Sequence, residues 1–379
     1  MVTLQTYFIY LLLFVVMLFL AKRASERNEW FWMILAILLY AIVFGLRYGV
    51  GVDHLAYLAD YMRYGLAASG QYDDTEIGFK FFRDTLAQND IHFSVYFVII
   101  AFVQLWLVFK AVQKDKFIYP YLVVAFFLGC IWLSYSNGLR QQLAFCFFAY
   151  SLLFIENKKL LPIHYLIVLL ALSVHNSALL LCIAAPVLLL KSEWFHNVKL
   201  QMVMMCIAIV LGELPNMENW IMSTEDNFGF LNEFMEETGY DDYYELELGE
   251  KMFLKGGTFG IGYYVNLMLN ALIVWYSSEV KQFNRQNKVI TYMYNFAFLG
   301  VVFHYLFISS HIISRLNYYF YGFVYIIGAY TLHYLYHNNR KMFWVMLALY
   351  VLVFVGTLHR MYDNTSAFYF FWQEDLYGM

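Results

Sequence analysis

Six ionisable side chains stand at or inside the ends of strongly apolar runs: Arg47, Arg140, His175, His304, His311 and Arg315. A charge held in a bilayer core costs free energy on every insertion scale, so such groups are functional candidates from the outset. Arginine keeps its charge and presents a planar fork of donors that matches phosphate oxygens. Histidine exchanges a proton near neutral pH and serves as a general base. Together the two types suit one chemistry: arginines neutralise a diphosphate as it leaves, while a base takes the proton from an attacking hydroxyl.

Each group has a local setting. In FGLRYGVGVDHLAYLADY, Arg47 closes an apolar run, and Gly49 and Gly51 permit sharp turns beside it. Asp53 and Tyr57 follow four apart, on one face if the segment is helical, with Asp60 beyond them. In SYSNGLRQQLAF, the Ser136-Asn137-Gly138 turn precedes Arg140, which opens the next apolar run. A cation at a helix start opposes the helix dipole and calls for an anion from elsewhere; a phosphate suits both the guanidinium and the free helix N–H groups. The plainer alternative for both arginines is snorkelling to lipid headgroups, with Asp53 as a helix cap. His175 and Asn176 interrupt LSVHNSALLL, where a lone histidine is equally well a structural residue. In FHYLFISSHIISRLNYYFY, His304, His311 and Arg315 recur at spacings of seven and four, and Tyr319 continues the stripe. They share one face if a single helix runs through Ser309 and Ser310. Tyr57, Tyr61, Tyr64, Tyr72, Tyr240, Tyr243 and Tyr244 are candidates to stack on sugars, although interfacial belts account for most aromatics in such a chain.

The elements that must carry these groups follow from composition. Of 379 residues, 62% are apolar, 21% aromatic and only 14% charged, and mean hydropathy is +0.57. A soluble domain has about 25% charged residues. A soluble enzyme, a disordered chain and a secreted disulfide scaffold are therefore excluded. The chain reads as an all-α, polytopic integral membrane protein forming a single membrane domain over 1–379. A span needs roughly 17–25 mostly apolar residues. Twelve transmembrane helices are expected, at 6–21, 30–46, 92–112, 117–135, 139–155, 160–174, 177–190, 200–212, 259–277, 289–308, 316–336 and 342–358. The first is kept as a span because no basic stretch precedes it and no small-residue cleavage site follows. The runs at 160–174 and 177–190 are short, so they read as two spans or as a re-entrant pair; Pro162, His175-Asn176 and Pro186 argue against one continuous helix.

Orientation follows from Lys and Arg in short connections. With the first connection inside, 15 of the 24 basic residues fall inside, in clusters such as Lys22-Arg23-Arg27 and Lys281-Arg285-Lys288. Both termini are then outside. So are two long external loops, 48–91 with net charge −4 and 213–258 with net charge −10. All six buried ionisable groups then belong to the outer half. Random snorkelling would decorate both sides.

Several classes are disfavoured. No Walker loop or DxD-type motif occurs, HxxxH falls at no plausible zinc site, and no CxxC pair exists, so neither metal nor other cofactor is expected. Cys130, Cys146, Cys182 and Cys206 all lie in apolar runs and read as small buried hydrophobes. No internal repeat weighs for a transporter built from related halves. No nucleic-acid partner is expected.

Three segments together resemble the EpsG-type, Wzy-like family of bacterial membrane proteins: Arg47-Tyr48-Gly49-Val50-Gly51-Val52-Asp53 with Tyr57; Arg140 opening a helix, with His175 of SVHNSALL following after about 35 residues; and Arg315-Leu316-Asn317-Tyr318-Tyr319-Phe320. The resemblance implies a polysaccharide polymerase, a glycosyltransferase of the inner (cytoplasmic) membrane with its active site facing outside. Its substrates would be oligosaccharide repeat units on undecaprenyl diphosphate, joined into capsule, exopolysaccharide or O-antigen. Carried onto this chain, Arg47, Arg140 and Arg315 would bind diphosphate, and His175 or Asp53 would activate the acceptor hydroxyl. Tyr57, His311 and Tyr319 would line the substrate. Membrane lipids, a flippase and a chain-length regulator are the expected partners. A lipid-linked oligosaccharide flippase, an acyltransferase acting on exported polysaccharide, and a ligase are the rival readings.

Overall fold

The computed structural model describes residues 4–51, 53–63, 75–214, 260–308, 311–360 and 367–376. The chain is helical almost throughout, as expected where lipid offers no partner for backbone N–H and C=O groups. In chain order the helices are α1 (Leu4–Arg27), α2 (Trp30–Gly45), α3 (His54–Arg63), α4 (Ile77–Gln88), α5 (Phe93–Ala111), α6 (Tyr119–Leu128), α7 (Ile131–Asn137), α8 (Leu139–Ser151), α9 (Leu161–Val174), α10 (Leu179–Leu189) and α11 (Val198–Gly212). After the second long loop come α12 (Ile261–Trp275), α13 (Ser277–Phe283), α14 (Val289–Leu306), α15 (His311–Leu316), α16 (Tyr318–Asn338) and α17 (Arg340–Arg360).

Among the described residues, four helices are both long and apolar enough to cross a membrane: α1, α5, α14 and α17. A fifth span is formed if the bent pair across α6 and α7 counts as one. This is fewer than the twelve expected. Most of the remaining apolar runs form helices close to the expected bounds but short ones, such as α2 with 16 residues and α12 with 15, whereas α16 has 21. The outward faces of the long helices carry large apolar side chains, including Phe8, Leu11, Val15 and Phe19 on α1 and Trp344, Leu352 and Val355 on α17. Inside, close helix approach replaces hydrophobic driving force. A Cβ on Gly300 would lie 2.6 Å from the Phe320 carbonyl carbon, so α14 and α16 meet backbone to backbone, with Phe296 stacked on Phe320 and Phe323 beside them. Cys206 departs from expectation: it is exposed on α11, and Cys182 is only partly buried.

Four local features bear on the site: the first two depart from the sequence reading, the third is the interruption that His175-Asn176 suggested, and the fourth answers a continuity that the spacing left open. First, the described residues of the expected loop at 48–91 carry two helices packed as a cap. Its helices α3 and α4 are clamped by Arg83, whose buried guanidinium pairs with Asp60 and with Asp84, both at 2.7 Å. Tyr61 adds a hydrogen bond to the Ile91 carbonyl at 2.6 Å. Second, the run at 117–135 is not one helix. It bends by 68° where Gly129 is followed by Cys130 at φ 56°, and Trp132 donates to the freed Phe127 carbonyl at 3.2 Å. Third, α9 and α10 break at His175, whose backbone is extended. Fourth, α14 ends at Leu306 and α15 begins at His311, so the His304–His311–Arg315 stripe is not carried by one continuous helix. Of the second expected loop, 215–258 lies outside the described residues.

A small antiparallel pair completes the scaffold. β1 (Arg47–Tyr48) pairs with β2 (Tyr369–Phe370) in the register Arg47↔Phe370. Phe368 N–H donates to Thr6 Oγ1 at 2.9 Å, and Gln5 bonds Gln373 at 2.9 Å. The start of α1 and the 367–376 segment therefore meet at the same end of the bundle as Arg47.

Candidate active site

Arg47 lies beneath this end of the bundle and is only 1% exposed. Its Nη2 donates to the Ser136 carbonyl at 3.1 Å, Nε donates to Val50 O at 3.4 Å, and Nη1 donates to Phe44 O. The guanidinium also sits 5.2 Å from the Phe97 ring. Carbonyl dipoles and a ring face support the charge in place of a carboxylate. Gly49 and Gly51 have positive φ, 65° and 97°, which the tight turn after Arg47 requires. A Cβ on Gly51 would stand 3.0 Å from Asn137 Oδ1, the same atom that accepts from the Asp53 N–H at 3.1 Å. Arg47, Gly51 and Asp53 thus fasten the first motif onto the turn that launches α8.

Arg140 and His175 meet through a residue that sequence reasoning passed over. Glu76, directly before α4, is buried to 4% side-chain exposure. Arg140 Nη1 donates to its Oε2 at 2.5 Å. His175 Nδ1 lies 2.6 Å from its Oε1, which also accepts from the Asn176 backbone N–H at 3.1 Å. Burial would push this carboxyl upward, but the hydrogen bond from His175 and the charge of Arg140 hold it down at about 2. Glu76 is therefore an anion near neutrality and can only accept. The Nδ1 nitrogen of His175 must therefore be the donor, and in the neutral ring this leaves Nε2 as the acceptor, the tautomer a base requires. Arg140 does want an anion, as its place at a helix start suggested, and in the chain itself that anion is Glu76. The break between α9 and α10 frees the His175 and Asn176 backbone to meet it.

The other expected residues gather around this centre to different degrees. Tyr57 faces Arg140, with the guanidinium carbon 6.0 Å from its ring, and Phe79 flanks the same group at 5.9 Å. Burial pushes the Asp53 carboxyl upward, and the charges of Arg315 and Arg140 oppose that, so both arginines act on it. The Arg315 carbonyl accepts from Gln141 Nε2 at 2.7 Å, tying the end of α15 to α8. Tyr319 shares a hydrogen bond with Ser177 at 2.9 Å, two residues beyond His175. His304 stacks instead on Tyr321 at 4.7 Å, away from these contacts. His311 opens α15, and its side chain lies outside the described residues. Among the described residues, no group of three or more His, Cys, Asp or Glu could hold a metal ion.

The one signal for Glu76 in the sequence is indirect. Arg140 has no acid nearby in the chain and so calls for one from elsewhere, but Glu76, two residues after Asp73-Asp74, is not set apart from the acids around it.

The helices and the family together make this a multi-pass membrane protein, with a carboxylate-linked arginine and histidine at one end of the bundle. The family model described as EpsG family matches residues 30–372, and the chain belongs to that family. Membership suggests a Wzy-like polysaccharide polymerase. No curated protein and no solved structure matches the chain.

Proposed function

We propose that the protein is a bacterial inner-membrane glycosyltransferase that polymerises oligosaccharide repeat units carried on undecaprenyl diphosphate into a surface polysaccharide, at a site facing outside. The observation that carries this reading is Glu76 holding Arg140 and His175 on its two oxygens. It supports the reading because it sets an arginine and a histidine side by side, residue types suited to holding a diphosphate and to taking a proton. The acceptor hydroxyl oxygen attacks the anomeric carbon of the donor sugar and forms the new C–O bond. The bond from that carbon to the diphosphate oxygen breaks, its electron pair leaves with the lipid diphosphate, and the hydroxyl proton passes to His175 Nε2. Arg140 and Arg315 offset the charge that grows on the departing oxygen. Asp53, acted on by both, orients the arginines or the acceptor, and Tyr57 presents a ring face to the sugars; Tyr319, expected to line the substrate, is fully buried on Ser177 and supports the His175 segment from behind. Arg47 belongs to the scaffold, because its donors are spent on backbone carbonyls below the site.

This assignment is tested in cells by Arg140→Ala and Arg315→Ala made separately, with the protein level checked. Each variant should shorten or abolish the polymer, with a loss of about a hundredfold or more, the scale for removing one group that stabilises transition-state charge. Wild-type chain lengths at wild-type protein levels would discard it.

A further inference from the structure

Glu76 divides its carboxylate. Oε2 serves Arg140, whereas Oε1 serves His175 and is pinned by the Asn176 backbone N–H. The backbone bond keeps the carboxylate from following Arg140 if that side chain is drawn elsewhere. Arg140 has reason to be drawn. Its Nη1 is on Glu76, but its Nε is buried and has no hydrogen-bond partner among the described residues. A guanidinium binds a phosphate best through two neighbouring donors, and the Nε edge is such a pair.

We propose that Glu76 couples donor binding to base activation: a diphosphate seated on the Nε edge of Arg140 takes that arginine's charge from Glu76, and the carboxylate, no longer shared, hydrogen-bonds His175 more strongly. Before the donor arrives, the positive charge of Arg140 draws on the same carboxylate that must support a positive imidazole. Once the diphosphate has neutralised Arg140, the carboxylate's full charge faces the ring as it accepts the acceptor's proton. The charge of Arg140 also acts on the Asp53 carboxyl, as that of Arg315 does. The linkage is reciprocal, so a protonated His175 also favours diphosphate on Arg140. The consequence is an ordered reaction in which water near an empty donor site meets a weak base. This inference rests on the diphosphate reading of Arg140.

The test uses the full chain in lipid nanodiscs, labelled with nitrogen-15 histidine, with inorganic pyrophosphate as the probe. The Nδ1 proton of His175 is assigned by its loss in His175→Asn. Pyrophosphate should move that proton downfield, saturating at the concentrations that saturate binding in calorimetry. Arg140→Gln should show the proton already at the shifted position, insensitive to pyrophosphate, and Glu76→Gln should lose the downfield proton. The wild-type titration decides the matter alone if either variant does not fold. Pyrophosphate that binds without moving the proton overturns the coupling and leaves the diphosphate reading standing. No binding of pyrophosphate overturns both.

Discussion

At the scale of residues, a buried anion decides what its neighbours do. Glu76 removed alone leaves a mostly buried guanidinium and an imidazole without their acceptor, and breaking a buried pair in this way costs roughly 3–5 kcal/mol, less here because Arg140 is 30% exposed. The pH dependence has a definite sign. The carboxyl titrates at about 2 in the fold against an ordinary 4.5, so its folded-state value is depressed. Its contribution to stability is complete above the ordinary value and is lost as pH falls toward the folded one. The melting temperature of the detergent-solubilised wild type should therefore exceed that of Glu76→Gln at pH 6, with the gap closing as pH falls through this window. A gap that does not change with pH would mean that Glu76 is not held as an anion. Arg47, Arg140, His175 and Arg315 were legible in the sequence because charge in apolar surroundings is conspicuous. Glu76 was not, because an acid in an acid-rich loop looks solvated until a helix folds back and buries it.

At the scale of elements, breaks matter as much as helices. The apolar runs foretold most helix bounds, since periodicity and length are local properties. They did not foretell the bend at Gly129-Cys130, which depends on a left-handed residue and on Trp132 capping a freed carbonyl. Nor did they foretell the cap of α3 and α4, held by Arg83 across the chain. That cap delivers Glu76, and its seat is narrow: a Cβ on Gly78 would come within 2.7 Å of the Ser173 carbonyl on α9. Gly78→Val should lift α4 from α9 and carry Glu76 away from His175. A displacement of about 1 Å in a catalytic arrangement costs about a hundredfold in rate. We expect that loss in the rate of polymer lengthening, with the protein still inserted in the membrane. A wild-type rate would show that α4 does not position the site. The Arg315 segment turns on continuity. The spacing of His304, His311 and Arg315 makes one stripe only on an unbroken helix; the helix ends at Leu306, so His304 packs on Tyr321 while Arg315 is tied to α8.

At the scale of the molecule, the features are distributed by end. Basic clusters occupy the connections at one end of the bundle. Arg140, Glu76, His175 and Asp53 gather at the other, where the start of α1 and the 367–376 segment also meet. The far end has its own buried polar contacts, with Asp115 accepting from Tyr330 at 2.8 Å and from Asn287 at 2.6 Å, and these tie helices together without a histidine or arginine partner. A polar path through both ends is what a carrier of lipid-linked sugar would need, whereas a transferase needs one pocket reached from one leaflet. The direct discrimination is chemical, because transport has no meaning without a closed membrane. Protein purified in detergent, given undecaprenyl-diphosphate-linked repeat units, should build a ladder of lengthened chains and release one lipid diphosphate for each bond formed; His175→Ala should abolish the ladder. Substrate left unextended by folded, substrate-binding protein, or a ladder that His175→Ala leaves intact, would contradict the account.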